Sequence, residues 1–167
     1  GAEATTKPGE ILDQLDVHMQ RALNQNGADG VQDGMDIALV CLDVETGTLQ
    51  FAGAFRPLVM RRKDGLVEEI KGDRRPIGNS AMYTNGKGPQ HFQTQELQIQ
   101  EGDRFYIFSD GMPDQHGGPE GRKLGSKRLF ELIQHTSRQS IDYQGEALRE
   151  AFMEWKGDTP QTDDIVF

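Results

Sequence analysis

Two short stretches of this chain could do chemistry. Ser109-Asp110-Gly111-Met112 follows a segment that reads as a buried strand at residues 104–108, and Thr162-Asp163-Asp164 leads into one that reads as a strand at residues 164–167. If the two runs are antiparallel neighbours, the end of the first lies beside the start of the second, and Asp110 meets Asp163 at one sheet edge. Carboxylates gathered without cysteine or a histidine cluster favour hard cations, Mg²⁺ or Mn²⁺, over zinc. Gly111 suits the same place, since a residue with no Cβ permits a sharp exit from a strand and a close backbone approach to an ion. Asp-Gly alone is turn chemistry, and Asp29-Gly30, Asp33-Gly34 and Asp64-Gly65 read as turns. The second acidic stretch is what sets Asp110-Gly111 apart.

Other chemistries find no footing. There is no Gly-x-x-x-x-Gly-Lys-[Ser/Thr] and no His-Glu-x-x-His. Ser109 is not in Gly-x-Ser-x-Gly, and His18, His91, His116 and His135 stand at no spacing that nominates a base for it. Cys41 is the single cysteine, which excludes an internal disulfide and a multi-cysteine zinc site and makes a reducing, cytoplasmic setting the expectation. The glycine-rich residues 116–121 read as a flexible rim, because no strand-to-helix turn follows immediately.

Charge narrows the partners. Eighteen Lys and Arg against 27 Asp and Glu leave a net −9, which repels nucleic acid and anionic lipid. The longest apolar run, residues 37–42, is far short of the roughly 20 residues a bilayer demands. Gly1-Ala2-Glu3-Ala4 lacks the pattern of a signal peptide, and residues 1–4 read as a tag remnant or disordered start.

The elements that must position the two aspartates follow from periodicity. Ile11, Leu12, Leu15, Met19, Ala22 and Leu23 recur at three- and four-residue spacing, an amphipathic helix with Thr6 as N-cap, Pro8 in the first turn and Gly27 as stop. Residues 36–43 are apolar on both faces and predict a central strand. Turns at Val44-Glu45-Thr46-Gly47 and Lys63-Asp64-Gly65 predict two hairpins, with a bend at Arg56-Pro57 between them. Residues 71–88, which contain Arg74-Arg75-Pro76, read as a loop on solvated surface, with a substrate-facing role as the alternative. Phe92, Leu97 and Ile99, then Glu101-Gly102-Asp103, then residues 104–108 predict a third hairpin. Two helices follow. Leu129, Phe130, Leu132 and Ile133 lie on one that Ser126 would cap, and Ala147, Leu148, Ala151, Phe152 and Trp155 on one that Gly157 would end. Strands interrupted by paired helices give an α+β layered domain.

The motifs in order resemble a known family. Residues 51–58 (Phe-Ala-Gly-Ala-Phe-Arg-Pro-Leu), Arg75-Pro76-Ile77-Gly78, Glu101-Gly102-Asp103, Phe108-Ser109-Asp110-Gly111 and Gln161-Thr162-Asp163-Asp164-Ile165 resemble the metal-dependent serine/threonine phosphatases of bacteria, in the branch of SpoIIE and RsbU. The resemblance runs from about residue 8 to the end and covers residues 5–167 as one partial domain. It implies an antiparallel β-sandwich flanked by helices in α-β-β-α layers, apparently incomplete at its N-terminus. It implies two Mg²⁺ or Mn²⁺ ions in the complete domain and a metal-activated water that hydrolyses phosphoserine or phosphothreonine. Asp110 and Asp163 match metal-ligand aspartates of the family, Gly111 stands beside them, and Asp164 falls in a second shell. Arg56, Arg74 and Arg75 are candidate substrate-phosphate contacts on charge chemistry, since guanidinium suits phosphate bidentately.

The resemblance also implies a phosphorylated regulatory protein, similar to an anti-sigma-factor antagonist, as substrate in a partner-switching pathway. The parent protein would carry an N-terminal sensor or membrane segment, with a homodimer formed through the parent left open. Two departures stand against the pattern. The family's upstream Asp-x-[Ser/Thr]-Gly-His-Gly segment, which supplies the bridging metal ligand, is absent, and Phe55 replaces a residue often polar. The chain alone is therefore expected to be short of ligands. The alternative is a degenerate phosphatase fold that binds a regulatory partner without turnover.

Overall fold

The structure, a computed structural model, describes residues 7–24, 33–78 and 91–167. Thr6, Gly27, Asp29-Gly30, residues 1–4 and residues 79–88 of the expected loop lie outside the described residues. The architecture is mixed helix and antiparallel sheet, as the α+β expectation holds, and it divides into two compact units. Unit 1 is Gly1–Leu58 with Glu69–Glu101, and unit 2 is Val59–Glu68 with Gly102–Phe167.

Unit 1 is built on α1 (Pro8–Asn24) and a three-stranded sheet of order β1 (Ile37–Asp43), β2 (Thr48–Ala54), β5 (Gln95–Gln98). Pro8 opens the helix where its missing N–H costs nothing. The three-and-four spacing delivers Leu12, Leu15 and Met19 to a core of Ala52, Ala54, Ile77 and Phe92, with Leu12 fully buried. His18 is exposed, as expected of a surface position. The β1–β2 hairpin pairs Val40 with Phe51 and Asp43 with Thr48. Its turn is held by Asp43 Oδ1, which accepts the N–H groups of Glu45 at 2.9 Å and Thr46 at 3.1 Å. Hydrogen bonds from Thr46, backbone then side chain, hold the Asp43 carboxyl below its ordinary range.

Three expectations are corrected in this unit. Residues 36–43 do not form the central strand: β1 is an edge of the described sheet, and β2 is central with Leu49, Phe51, Ala52 and Ala54 buried. Thr48 and Gln50 are only half-buried and share a face with Ala52 and Ala54, while Leu49 and Phe51 fill the opposite face. The mid-strand Cys41 is accordingly half-buried. The described part of the expected surface loop is not a solvated run either, since Arg75, Pro76 and Ile77 are buried, and Ile77 exchanges backbone hydrogen bonds with Met35. Third, β5 is not half of a hairpin with the following strand; it returns to β2, pairing Leu97 with Leu49. The bend at Arg56-Pro57 is present. Phe55 sits at φ +57° and Arg56 donates its N–H back to Ala54 at 2.7 Å. Gly53 is needed there because a Cβ would run into the Arg56 carbonyl oxygen.

Unit 2 carries a sheet of order β4 (Val67–Ile70), β3 (Leu58–Arg61), β6 (Arg104–Tyr106), apart from Leu58 and residues 69–70. The β3–β4 hairpin forms at Lys63-Asp64-Gly65 as expected, and β6 pairs with β3, Val59 opposite Tyr106. Glu101-Gly102-Asp103 therefore leads the chain from one sheet to another instead of closing a hairpin. Asp103 binds Arg62 and the Lys63 N–H, and hydrogen bonds from Arg62, to Glu68 first, hold that guanidinium's pKa above its usual value.

After β6 come a single helical turn, α2 (Gly111–Asp114), a two-stranded ribbon of β7 (His116–Gly117) and β8 (Arg122–Lys123), then α3 (Gly125–Thr136) and α4 (Ile141–Lys156). Residues 116–121 are thus part of a hairpin, with Gly117 packed so tightly on Trp155 that a Cβ would strike its carbonyl oxygen. Ser126 is not the cap of α3; Leu124 holds that position and Ser126 lies inside the helix. The cap chemistry appears one helix later, where Ser140 Oγ accepts the Tyr143 N–H at 3.2 Å, and Gly157 ends α4 as expected. The apolar faces of α3 and α4 meet Val59, Tyr106, Phe108 and Met112 in the core of this unit. Each fully buried Leu, Ile or Phe there contributes on the order of 1.5–3 kcal/mol. Among the described residues no helix is long and apolar enough to cross a membrane.

Candidate metal centre at the Asp110 and Asp163 segments

The segment expected as a strand at residues 164–167 is not one, and the strand expected over residues 104–108 ends at Tyr106. What joins them is a side-chain clamp. Ser109 donates its N–H to the Val166 carbonyl at 3.0 Å. Its Oγ donates to the Asp164 carbonyl at 2.9 Å and accepts the Val166 N–H at 3.0 Å. The hydroxyl makes two of these three bonds, donating one and accepting one, so the two segments run side by side without regular strand geometry. Beyond the clamp, the Phe167 ring stacks on Phe108, centroids 5.8 Å apart, and Ile165 packs against the unit 2 core.

Gly111 is buried in this junction, and a Cβ there would run into the Asp164 carbonyl oxygen. Only glycine lets the backbone of residues 110–111 lie this close to residue 164. Asp110 is half-buried at the N-terminus of α2, where its carbonyl accepts the Asp114 N–H at 2.8 Å and its carboxylate does not cap the turn. Asp163 is exposed, and its Oδ1 accepts the Asp164 N–H at 2.7 Å. Asp110 and Asp163 thus sit on the two segments that Ser109 and Gly111 hold together. Asp164 contributes its carbonyl to the clamp.

Sequence reasoning missed Gln115. It is fully buried, and its Nε2 donates to the carbonyls of His116 at 2.9 Å and Pro160 at 3.1 Å, while its backbone carbonyl accepts the Leu124 N–H and the Trp155 indole N–H. It ties Pro160, three residues before Asp163, to the start of β7. The only signal available was a polar residue five positions after Asp110, which no pattern distinguishes from surface. Ser109 was in view but weighed only as a nucleophile.

The three arginines all lie in unit 1. Arg56 is half-buried and pairs with Asp36 at 2.8 Å. Arg74 is exposed. Arg75 is buried, lies 3.7 Å over the Phe92 ring, and reaches Asp16 and Asp13 of α1 at 3.4 Å each. Its charge is used inside the fold, which a run of basic residues in the sequence does not show.

The donors fit a hard cation in kind, being carboxylate and carbonyl oxygen on a glycine-shaped backbone. They do not complete a shell. Among the described residues no three His, Cys, Asp or Glu side chains come together as a metal group.

The model of the family described as Stage II sporulation protein E matches residues 1–167. The chain belongs to the SpoIIE family. This SpoIIE-family chain is 33% identical to the SiaA-PP2C domain of Pseudomonas aeruginosa, with a TM-score of 0.81 over 98% of this chain and 60% of that one. The RsbU and RsbW domains of Rv1364c from Mycobacterium tuberculosis share 18% identity and a TM-score of 0.69, over 97% of this chain and 41% of theirs. The phosphatase domain of the cell fate determinant SpoIIE from Bacillus subtilis shares 14% identity and a TM-score of 0.57, over 99% of this chain and 74% of that one. The last two likenesses show the fold. The chain spans 60% of the length of the SiaA-PP2C domain and 41% of the Rv1364c chain. No curated protein sequence matches it. Its relatives are PP2C-type phosphatase domains of bacterial signalling proteins, as the motif order implied.

Proposed function

We propose that this SpoIIE-family domain is the part of a cytoplasmic protein serine/threonine phosphatase that contributes Asp110 and Asp163 to a Mg²⁺ or Mn²⁺ centre, acting on a small phosphorylated regulatory protein. The observation that carries the reading is the Ser109 clamp with Gly111 against the Asp164 carbonyl, which brings the two aspartate segments together. The B. subtilis relative was studied presoaked with Mn, and a second relative in the fold, RsbX, in complex with magnesium, which supports a hard divalent cation here. The bound cation supplies charge neutralisation at the phosphoryl group and lowers the pKa of water at the site. The chain's own residues would hold it: Asp110 and Asp163 through carboxylate oxygens, Gly111 by leaving the backbone room, Ser109 by joining the two segments and Gln115 by tying down Pro160. Partner switching is supported by a relative with RsbU and RsbW domains in one chain.

The test is Mn²⁺-dependent release of phosphate from a phosphoserine regulatory protein by the full-length parent. Asp110→Asn and Asp163→Asn should each lower kcat by at least about 100-fold, since changes one shell further out already cost roughly 10–100-fold. Unchanged activity in Asp110→Asn sinks the site. A parent that binds the phosphoprotein without ever releasing phosphate is the degenerate binding module instead.

A further inference from the structure

Unit 2 holds a cavity of about 510 Å³ between the β3–β4 turn and the end of α3. Arg61, Arg138, Asp64, Gln134, His135 and Ser137 line it. Arg61 closes β3 and is 8% exposed. Its Nη1 donates to the Gly102 carbonyl at 3.4 Å, while its buried Nε has no partner among the described residues. No described carboxylate pairs with Arg61 or with Arg138. Asp64 lines the same cavity, but its Oδ1 accepts the Leu66 N–H at 3.0 Å within its own turn. Ser137 Oγ is turned to the Gln134 carbonyl and His135 Nδ1 donates to the Glu131 carbonyl, so neither offsets the arginines.

The formal charge of the lining is two guanidinium groups against one carboxylate, in a chain whose net charge is −9. A guanidinium nine-tenths buried without a counter-charge is costly, so such positions are compensated. The last turn of α3 offers about half a negative charge at its carbonyl end, which falls short of matching two cations. From this imbalance we infer that the cavity is an anion site for the phosphoryl group of a small phosphorylated molecule or of free phosphate. The planar guanidinium forks of Arg61 and Arg138 match a phosphoryl dianion, and Gln134 supplies a neutral donor at the rim. The volume lies within the roughly 300–1,000 Å³ of ligand pockets, so more than the bare ion is accommodated. The inference is independent of the metal centre, which involves none of these residues.

The 167-residue chain, in EDTA and at constant ionic strength, is titrated with inorganic phosphate and with O-phosphoserine while amide chemical shifts are followed. Saturable shifts are expected at residues 61–65 and 134–138, equal in the Asp110→Asn variant. Arg138→Gln, an exposed position, should weaken both ligands about tenfold with the ligand-free melting temperature unchanged. Arg61→Gln should abolish binding; should it fail to fold, Arg138→Gln still decides. Tighter binding of phosphoserine identifies a phosphorylated small molecule as the ligand, and equal binding identifies free phosphate. Shifts that do not saturate, shifts that map elsewhere, or wild-type affinity in Arg138→Gln overturn the inference.

Discussion

Gly111 and Arg75 show how one residue type can be read from sequence and another cannot. Gly111 was legible because Asp-Gly after an apolar run is a place where a strand must end sharply, and the structure gives it a second reason, the Asp164 carbonyl against its missing Cβ. Gly111→Ala should push residues 163–165 away from residues 109–111 and cost about 1–3 kcal/mol, as overpacking at a rigid backbone contact does. Thermal denaturation reads the stability loss, and amide exchange at Val166 reads the opened clamp. Arg75 was legible only as a cation. That it lies over Phe92 and between Asp13 and Asp16 depends on α1, some 60 residues earlier in the chain, and no local pattern encodes such a pairing. Arg75→Gln takes a guanidinium from the buried Asp16, whose Oδ1 keeps the Gly78 N–H at 2.7 Å. Both contacts are long and Asp13 is partly solvated, so the cost is about 2–4 kcal/mol, below that of a fully buried pair. If Arg75 instead contacts substrate phosphate, the variant keeps its melting temperature and raises KM in the parent enzyme.

At the scale of elements, periodicity served the helices and failed the sheets. The faces of α1, α3 and α4 follow from three- and four-residue spacing, which delivers Leu12, Leu129, Ile133, Leu148 and Phe152 to the cores, while Ala22 at the end of α1 stays exposed. Strand order has no comparable signal. Polar residues hid the central place of β2, and adjacency in sequence wrongly joined β5 to β6, because hairpin propensity is local while β5 pairs with β2 and β6 with β3. The residues 164–167 were read as a strand on composition, yet a serine side chain supplies their pairing. Polar cross-links were equally invisible. Gln144, 2% exposed, accepts from Tyr106 Oη at 3.1 Å and donates to the Ile133 carbonyl and to Thr136 Oγ1, so it ties β6 and the end of α3 to α4. Gln144→Leu strands the buried Tyr106 hydroxyl and takes a donor from the Ile133 carbonyl and from Thr136 Oγ1, which keeps its own bond to the Leu132 carbonyl. Equilibrium denaturation should show a loss of about 2–4 kcal/mol, against under about 1.5 kcal/mol if the site merely needed its volume filled.

For the whole molecule, the net −9 bears directly on how a metal centre is proved. Twenty-seven acidic residues attract divalent cations everywhere on the surface, and at physiological ionic strength this diffuse attraction is screened beyond about 8 Å. A cation held by direct carboxylate bonds is screened far less. Salt therefore separates the two cases. In about 0.15 M salt, paramagnetic broadening by Mn²⁺ should concentrate at residues 109–111 and 163–165, saturate, and survive further salt. Glu146, Glu150 and Glu154 on the outer face of α4 serve as the internal control, since they are exposed carboxylates of the same unit with no glycine-shaped junction beside them. Asp110→Asn changes the net charge by a single unit out of nine, so diffuse binding barely responds to it, while a two-aspartate centre should lose affinity by at least about tenfold, the low end of what even an outer-shell change costs. Equal broadening at α4 and at the junction, vanishing together with added salt, would mean that the two aspartates are ordinary members of an acidic surface and that the Ser109 clamp serves the fold alone.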